Sequence, residues 1–211
     1  MRCELSPRAS KVRGVLFDFD GTLTRPGAID FAAIKREIRC PEGTAILEYL
    51  DTLPPAERSA LLKVLEQREA EAALASVPNE GAEKCLLALK HKGIPFGILT
   101  RNSMTSICLA LQKFEGIRPE DFTAVITRED SLPKPHPDGV FQAARRMGFT
   151  VSALMVVGDF RFDILAGKAA GAFTVLLRNE GPSVMARGDP EPDCTILHLQ
   201  GVLDILGVTS P

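Results

Sequence analysis

Residues 12–24 read VRGVLFDFDGTLT. Val15, Leu16 and Phe17 form an unbroken apolar run, the pattern of a short strand buried on both faces. The run ends in Asp18 and Asp20, separated by Phe19 and followed by Gly21 and Thr22. A strand period of two puts Asp18 and Asp20 on a common side and turns Phe19 away. Two carboxylates so close repel each other, so a positive partner is expected beside them.

Working outward, further apolar runs bounded by turn residues occur at Phe96–Leu99, Ala124–Ile126, 154–157 and Phe173–Leu177. Segments with helical spacing lie between them, at 83–92, 103–114, 137–147 and 164–170. They stop at or shortly before Gly93, Gly116, Gly148 and Gly171, and glycine just past a helix is the usual stop. Apolar strands alternating with helices predict an α/β fold, a three-layer Rossmann-like core with a mainly parallel sheet. After Gly181 the chain is richer in Pro and Gly until CTILHL (194–199) and a short final helix.

Residues 25–77 break the alternation. Phe31, Ile34 and Ile38 repeat at helical spacing; Ile46, Leu47 and Leu50 follow Pro41; Leu61, Leu62, Val64 and Leu65 follow Pro54-Pro55. This predicts a small all-helical insertion of about three or four helices, joined through TRPGA (24–28) and SVPNEG (76–81). The expected organisation is a core of 1–24 and 78–211 interrupted by the helical unit 25–77.

Composition narrows the setting. The chain has 211 residues, 45% hydrophobic and 25% charged, with net charge −2, which gives no general attraction to nucleic acid or membranes. Cys3, Cys40, Cys85, Cys108 and Cys194 are scattered without a CxxC pair, so free thiols in a reducing compartment are expected. Arg2, Arg8, Lys11 and Arg13 have the charge of an organelle presequence. Glu4 and the lack of an amphipathic pattern argue against one, and a cytoplasmic location is expected.

In open α/β sheets chemistry gathers at the carboxyl ends of the strands. The residues there are Asp18 and Asp20, then Thr100-Arg101-Asn102-Ser103, then Lys134 in SLPKPHPD, then Gly158-Asp159 with Asp163 following. Hard carboxylate oxygens favour Mg²⁺, which also takes a substrate phosphate. Lys134 adds a second positive centre, and Thr100 a hydroxyl ahead of a helix N-terminus suited to anions. A nucleophile, a metal and donors for phosphoryl oxygens are what phosphoryl transfer requires.

DFDGTLT, ILTRN, the lysine of KPHPD and VVGDFRFDI, in that order, resemble the four motifs of the haloacid dehalogenase-like hydrolase superfamily. The helical insertion matches the position of the family's C1 cap, and the chain is most similar to its phosphoglycolate phosphatase-like branch, although this cap is shorter. The resemblance implies that Asp18 is the nucleophile and Asp20 the general acid and base. It implies that Thr100 and Lys134 bind the phosphoryl group, with Phe19, Gly21, Arg101 and Asn102 among the substrate-binding positions. Mg²⁺ is then held by Asp18, the Asp20 carbonyl and Asp159, with Asp163 a ligand through water or a support for the other ligands. An aspartate at position 20 favours phosphotransfer over dehalogenation, because halide leaves without a proton. Phe160 stands where related phosphatases commonly have a small hydroxyl residue.

The resulting expectation is a phosphatase of a small phosphorylated metabolite, monomeric or dimeric, with no nucleic acid or membrane partner. A phosphoglucomutase-like phosphotransferase and a non-catalytic member of the fold are the alternatives. Arg25, Arg101 and Arg161 stand beside motif residues, where an extra anionic group on the substrate would meet them. His136 is read as a capping or solvent-facing residue. The AGKAAG segment around Lys168 fails as a phosphate loop, because Phe162 occupies the place of its first glycine.

Overall fold

The computed structural model describes residues 7–181 and 183–208. Arg2, Cys3 and Glu4 lie outside the described residues. Six strands form one parallel sheet: β1 (Gly14–Phe17), β2 (Phe96–Leu99), β3 (Ala124–Ile126), β4 (Leu154–Gly158), β5 (Phe173–Leu177) and β6 (Cys194–Ile196). Their order is β3-β2-β1-β4-β5-β6. Phe17 aligns with Ile98 on one side and Val157 on the other. The connectivity runs outward from β1 to β3, then returns to β4 beside β1 and proceeds the other way. The crevice beyond β1 and β4 is thus the topological switch point, where such sheets bind ligands.

Alternation along β1 builds both faces. Val15 and Phe17 join Leu86, Leu89 and Ile107 beneath α4 (Ala82–His91), α5 (Met104–Leu111) and α8 (Gln200–Leu206). Leu16 joins Val140, Val156 and Ala166 beneath α6 (Asp138–Met147) and α7 (Arg161–Ala170). This is the expected three-layer α/β core. The sixth strand was not anticipated: three residues after a Pro- and Gly-rich stretch carry too little pattern, and pairing with β5 makes them a strand.

Between β1 and α4 the chain forms α1 (Phe31–Glu37), α2 (Ile46–Asp51) and α3 (Pro55–Ala75). Asp30 caps α1 by accepting the Ala33 amide at 2.8 Å, and Pro55 opens α3 at a position where no amide donor is needed. Ile34, Ile38, Ile46, Leu50 and Leu65 form an apolar cluster separate from those of the sheet. The two connections run side by side: Thr24 and Pro78 form an antiparallel bridge, and the Arg25 amide donates to the Val77 carbonyl at 3.0 Å.

One expectation needs correcting. Cys40, Cys85 and Cys108 are free, but Cys194 is disulfide-bonded. Cysteines scattered without a CxxC pair leave no spacing signature of such a bond. Near the start, Arg8 bonds Asp193 at 2.8 Å and the carbonyls of Gly171 and Ala172, while Ala9 and Val12 are buried. No helix among the described residues is long and apolar enough to cross a membrane.

Candidate active site

The site begins where β1 stops. The Asp18 amide still bonds the Val157 carbonyl at 2.8 Å, so its backbone continues the sheet. The chain then folds into a tight loop, with the Phe19 carbonyl accepting the amides of Leu23 and Thr24, each at 2.9 Å. The Phe19 ring is fully buried against Phe114, so only its backbone faces any ligand. Gly21 has φ +84°, and a Cβ there would lie 2.3 Å from Asp159 Oδ2. Both backbone conformation and space therefore demand glycine, which brings the loop against Asp159. The Thr22 hydroxyl donates to Asp159 Oδ1 at 3.3 Å.

Lys134, buried at 4% exposure, sits at the centre of the charges. Its Nζ donates to Asp18 Oδ1 at 2.5 Å, to Asp163 Oδ1 at 2.6 Å and to the Leu99 carbonyl at 2.7 Å. Burial works against its charge, but Asp163 and Asp18 outweigh it and hold Lys134 above the usual lysine range. The other oxygen of Asp163 accepts the Phe160 amide at 3.1 Å. That bond uses backbone, so the unusual Phe160 side chain does not disturb it. A Cβ on Gly158 would lie 2.2 Å from the Asp163 carboxyl, so glycine is again required for the close approach.

Asp18, Asp159 and Asp163 each offer a carboxylate oxygen, all within 4.8 Å of one another. One ammonium does not neutralise three carboxylates, and the surplus is visible in their acidity. Burial, then Asp18 and Asp163, raise Asp159 to about 8; burial also raises Asp163 to about 6, against the pull of Lys134. Such a donor set, made of hard oxygens and short of positive charge, fits a divalent cation. Asp163 is engaged on both oxygens, one of them by the Lys134 ammonium; Asp159 accepts only from the neutral groups of Thr22 and Asn179, and Asp18 is bonded through one oxygen.

Asp20 points elsewhere. Its Oδ2 accepts Asn102 Nδ2 at 3.1 Å, and burial followed by the neighbouring Asp18 raises it to about 6. Thr100, at the end of β2, accepts the Asn102 amide on its hydroxyl oxygen at 3.0 Å and keeps its own proton for another acceptor. Ser103 caps α5 by accepting the Ser106 amide at 3.2 Å. The structure thus brings Asp18, Asp20, Thr100, Asn102, Lys134, Asp159 and Asp163 to one crevice, beneath the helical insertion.

A family model described as haloacid dehalogenase-like hydrolase matches residues 12–171, which takes in every one of these side chains. The chain belongs to that family. A haloacid dehalogenase-like hydrolase domain-containing protein of Arabidopsis thaliana is 32% identical, over 93% of this chain and 84% of the relative. A phosphoglycolate phosphatase of Escherichia coli is 27% identical, over 93% of each. A crystal structure titled as a predicted phosphoglycolate phosphatase from Haemophilus somnus superposes with a TM-score of 0.70 at 19% identity, covering 92% of this chain and 98% of that one, and shares its fold. The chain stands on the phosphatase side of the family, and its relatives include the phosphoglycolate phosphatase branch.

In this family hydrolase, two of the three arginines beside the motifs are engaged. Arg101 bonds both oxygens of Glu48 on α2, at 2.8 and 2.5 Å, and donates to the Lys134 carbonyl. Arg161 bonds Asp189 at 2.6 Å, and Arg25 is exposed at the linker. His136 accepts the Asp138 amide at the start of α6, a local turn contact.

Two asparagines escaped the sequence reading. Asn179, just past β5, donates to the Gly21 carbonyl at 2.9 Å and to Asp159 Oδ2 at 3.0 Å. Asn79, in the return linker, donates to the Thr22 carbonyl at 2.9 Å. Together they pin the loop after Asp18. Asn179 was findable by the strand-end rule that found Asp159, since it follows the fifth apolar run. Asn79 had no such signal. Between core and insertion lies a cavity of about 510 Å³, whose far wall is formed by residues of the insertion including Phe31, Lys35, Leu47 and Glu69.

Proposed function

We propose that this hydrolase is a Mg²⁺-dependent phosphatase that cleaves small phosphomonoesters by way of an aspartyl-phosphate. The observation that carries the reading is Asp18 held at 2.5 Å by Lys134, beside an acidic cluster and a carboxyl raised to about 6 at Asp20. The matching relatives named phosphoglycolate phosphatase support the substrate class.

Lys134 and the insertion determine which atoms of Asp18 and substrate meet. With one oxygen of Asp18 bonded to Lys134, the other attacks phosphorus, and the bond from phosphorus to the ester oxygen breaks. Asp20 gives its proton to the departing oxygen; a carboxyl near 6 is partly protonated near neutral pH. Asp20 then takes a proton from water, whose oxygen attacks the same phosphorus, releasing phosphate and restoring Asp18. Thr100 and Lys134 donate to the phosphoryl oxygens, and Asn102 orients Asp20. Mg²⁺, held by the carboxylates of Asp18 and Asp159 and the Asp20 carbonyl, would neutralise charge on the phosphoryl oxygens. Asp163 steadies Lys134 instead of binding the ion directly.

Residues 25–77 act in this reading as a cap on a core of 1–24 and 78–211, excluding water and contacting the leaving group. The test is phosphate release from a panel of phosphorylated metabolites with Mg²⁺ and with the metal chelated. Release that requires Mg²⁺ is expected. Release undiminished by chelation would remove the metal from the reading, and no release from any ester would remove the phosphatase.

A further inference from the structure

The floor of the cavity is polar, and its walls combine apolar side chains with Lys35, Glu69, Arg101 and Arg161. Ile29, Phe31, Ile46 and Leu47 line it from the insertion, and Phe160 and Phe162 from the core. Phe31 is 52% exposed and Phe160 43% exposed, and both line the same cavity, one from the insertion and one from the core. That is an unfavourable use of aromatic side chains unless a ligand covers them.

The rings are also set in place. Phe160 meets Phe162 edge to face, with centroids 5.0 Å apart and planes at 88°. Phe162 is flanked in turn by the guanidinium groups of Arg101 and Arg161, 5.2 and 5.8 Å from its centroid. Phe160 is therefore a pre-oriented face on the core side of the cavity. The cations that would recognise a second anion on the substrate are committed, Arg101 to Glu48 and Arg161 to Asp189. Lys35 is the exception, with no ion pair among the described residues.

Resting on the phosphatase reading, we propose that the leaving group is an aromatic ring joined to the phosphate through a short alcohol, packed between Phe160 of the core and Phe31 of the cap. A cavity of about 510 Å³ has room for such a group beyond the phosphate, within the range of ordinary ligand sites. Ring-on-ring contact contributes about two- to tenfold in affinity per pair, so two rings together reach about tenfold.

The experiment compares benzyl phosphate with glycerol 3-phosphate and phosphoglycolate, using phosphate release with Mg²⁺. Benzyl alcohol is an alkyl leaving group, so aryl acidity does not favour it. A kcat/KM at least about tenfold higher for benzyl phosphate is expected. In Phe160→Ala that preference should fall by about two- to tenfold, mainly through KM, with Phe160→Leu intermediate and Phe31→Ala similar in direction. Competition by benzylphosphonate against methylphosphonate should lose the same preference, a binding readout independent of turnover. Faster release from glycerol 3-phosphate or phosphoglycolate, or an unchanged ratio in both alanine variants, would overturn the aromatic assignment alone. No release from any of the three overturns the phosphatase reading and this one with it.

Discussion

Arg128, which follows β3, grips Glu69 of α3 through a single nitrogen, at 2.7 Å to one carboxylate oxygen and 2.6 Å to the other. Both side chains are buried, at 7% and 5% exposure, so this ion pair is a joint between the helical insertion and the core. Removing one partner strands the other as a buried charge. Glu69→Leu and Arg128→Leu should each lose roughly 3 kcal/mol of stability in urea unfolding, whereas replacing both with leucine should cost far less. Additive losses in that double-mutant cycle would contradict the pairing.

The same pair sets a pH dependence. Burial pushes the Glu69 carboxyl up to about 7 from its ordinary 4.5, although Arg128 pulls the other way. Between those values the folded protein binds more protons at this site than the unfolded chain, so its contribution to stability falls as pH rises. It is fully present below about 4.5 and fully lost above about 7. The Tm of the native protein minus that of Glu69→Gln should therefore decline from pH 4.5 to 7 and level off above it. A difference that rises over that window would reverse the sign.

Asp18 faces Asp159 and Asp163 with Lys134 as the counter-charge. Asp18→Asn should reduce phosphate release by roughly 10⁴-fold or more, since an amide is no nucleophile here. Without metal its Tm should equal or exceed that of the native protein, because one of the repelling carboxylates is gone. Retained turnover would assign the nucleophile elsewhere.

Asn179 holds Asp159 and the Gly21 carbonyl together, so in the proposed reading it positions a metal ligand. Asn179→Ala should weaken Mg²⁺ binding by about tenfold in calorimetry, as such supporting contacts commonly do. Mg²⁺ should also raise Tm in a concentration-dependent way, with a smaller rise in Asn179→Ala. Equal Mg²⁺ affinity in the two proteins would reduce Asn179 to a loop contact.

The crevice was legible because strand ends are. Asp18, Thr100 and Asp159 each follow an apolar run directly, and Lys134 lies between Pro133 and Pro135 in the loop that follows β3. The contacts that join insertion to core were not. Glu48 and Arg101 are 53 positions apart and Glu69 and Arg128 are 59 apart, and each looks in sequence like an ordinary solvated charge. Arg101 shows the consequence: its position beside Thr100 pointed to a substrate anion, and only the fold shows that it also pairs with Glu48. β6 was hidden because three residues carry too little pattern until β5 pairs with them.

Sequence by itself determined the alternation of buried strands and helices, the inserted helical unit, and the acidic pair at the end of β1. Those are set by periodicity and by glycine stops, which act over a few residues. Tertiary structure alone decided how charge is shared: that Lys134 serves Asp18 and Asp163 together, that Asp20 turns to Asn102, and that two phenylalanines face one cavity. Acidity and recognition depend on burial and on which charges meet. Both arise only when the crevice closes between β1, β4 and the helices above them.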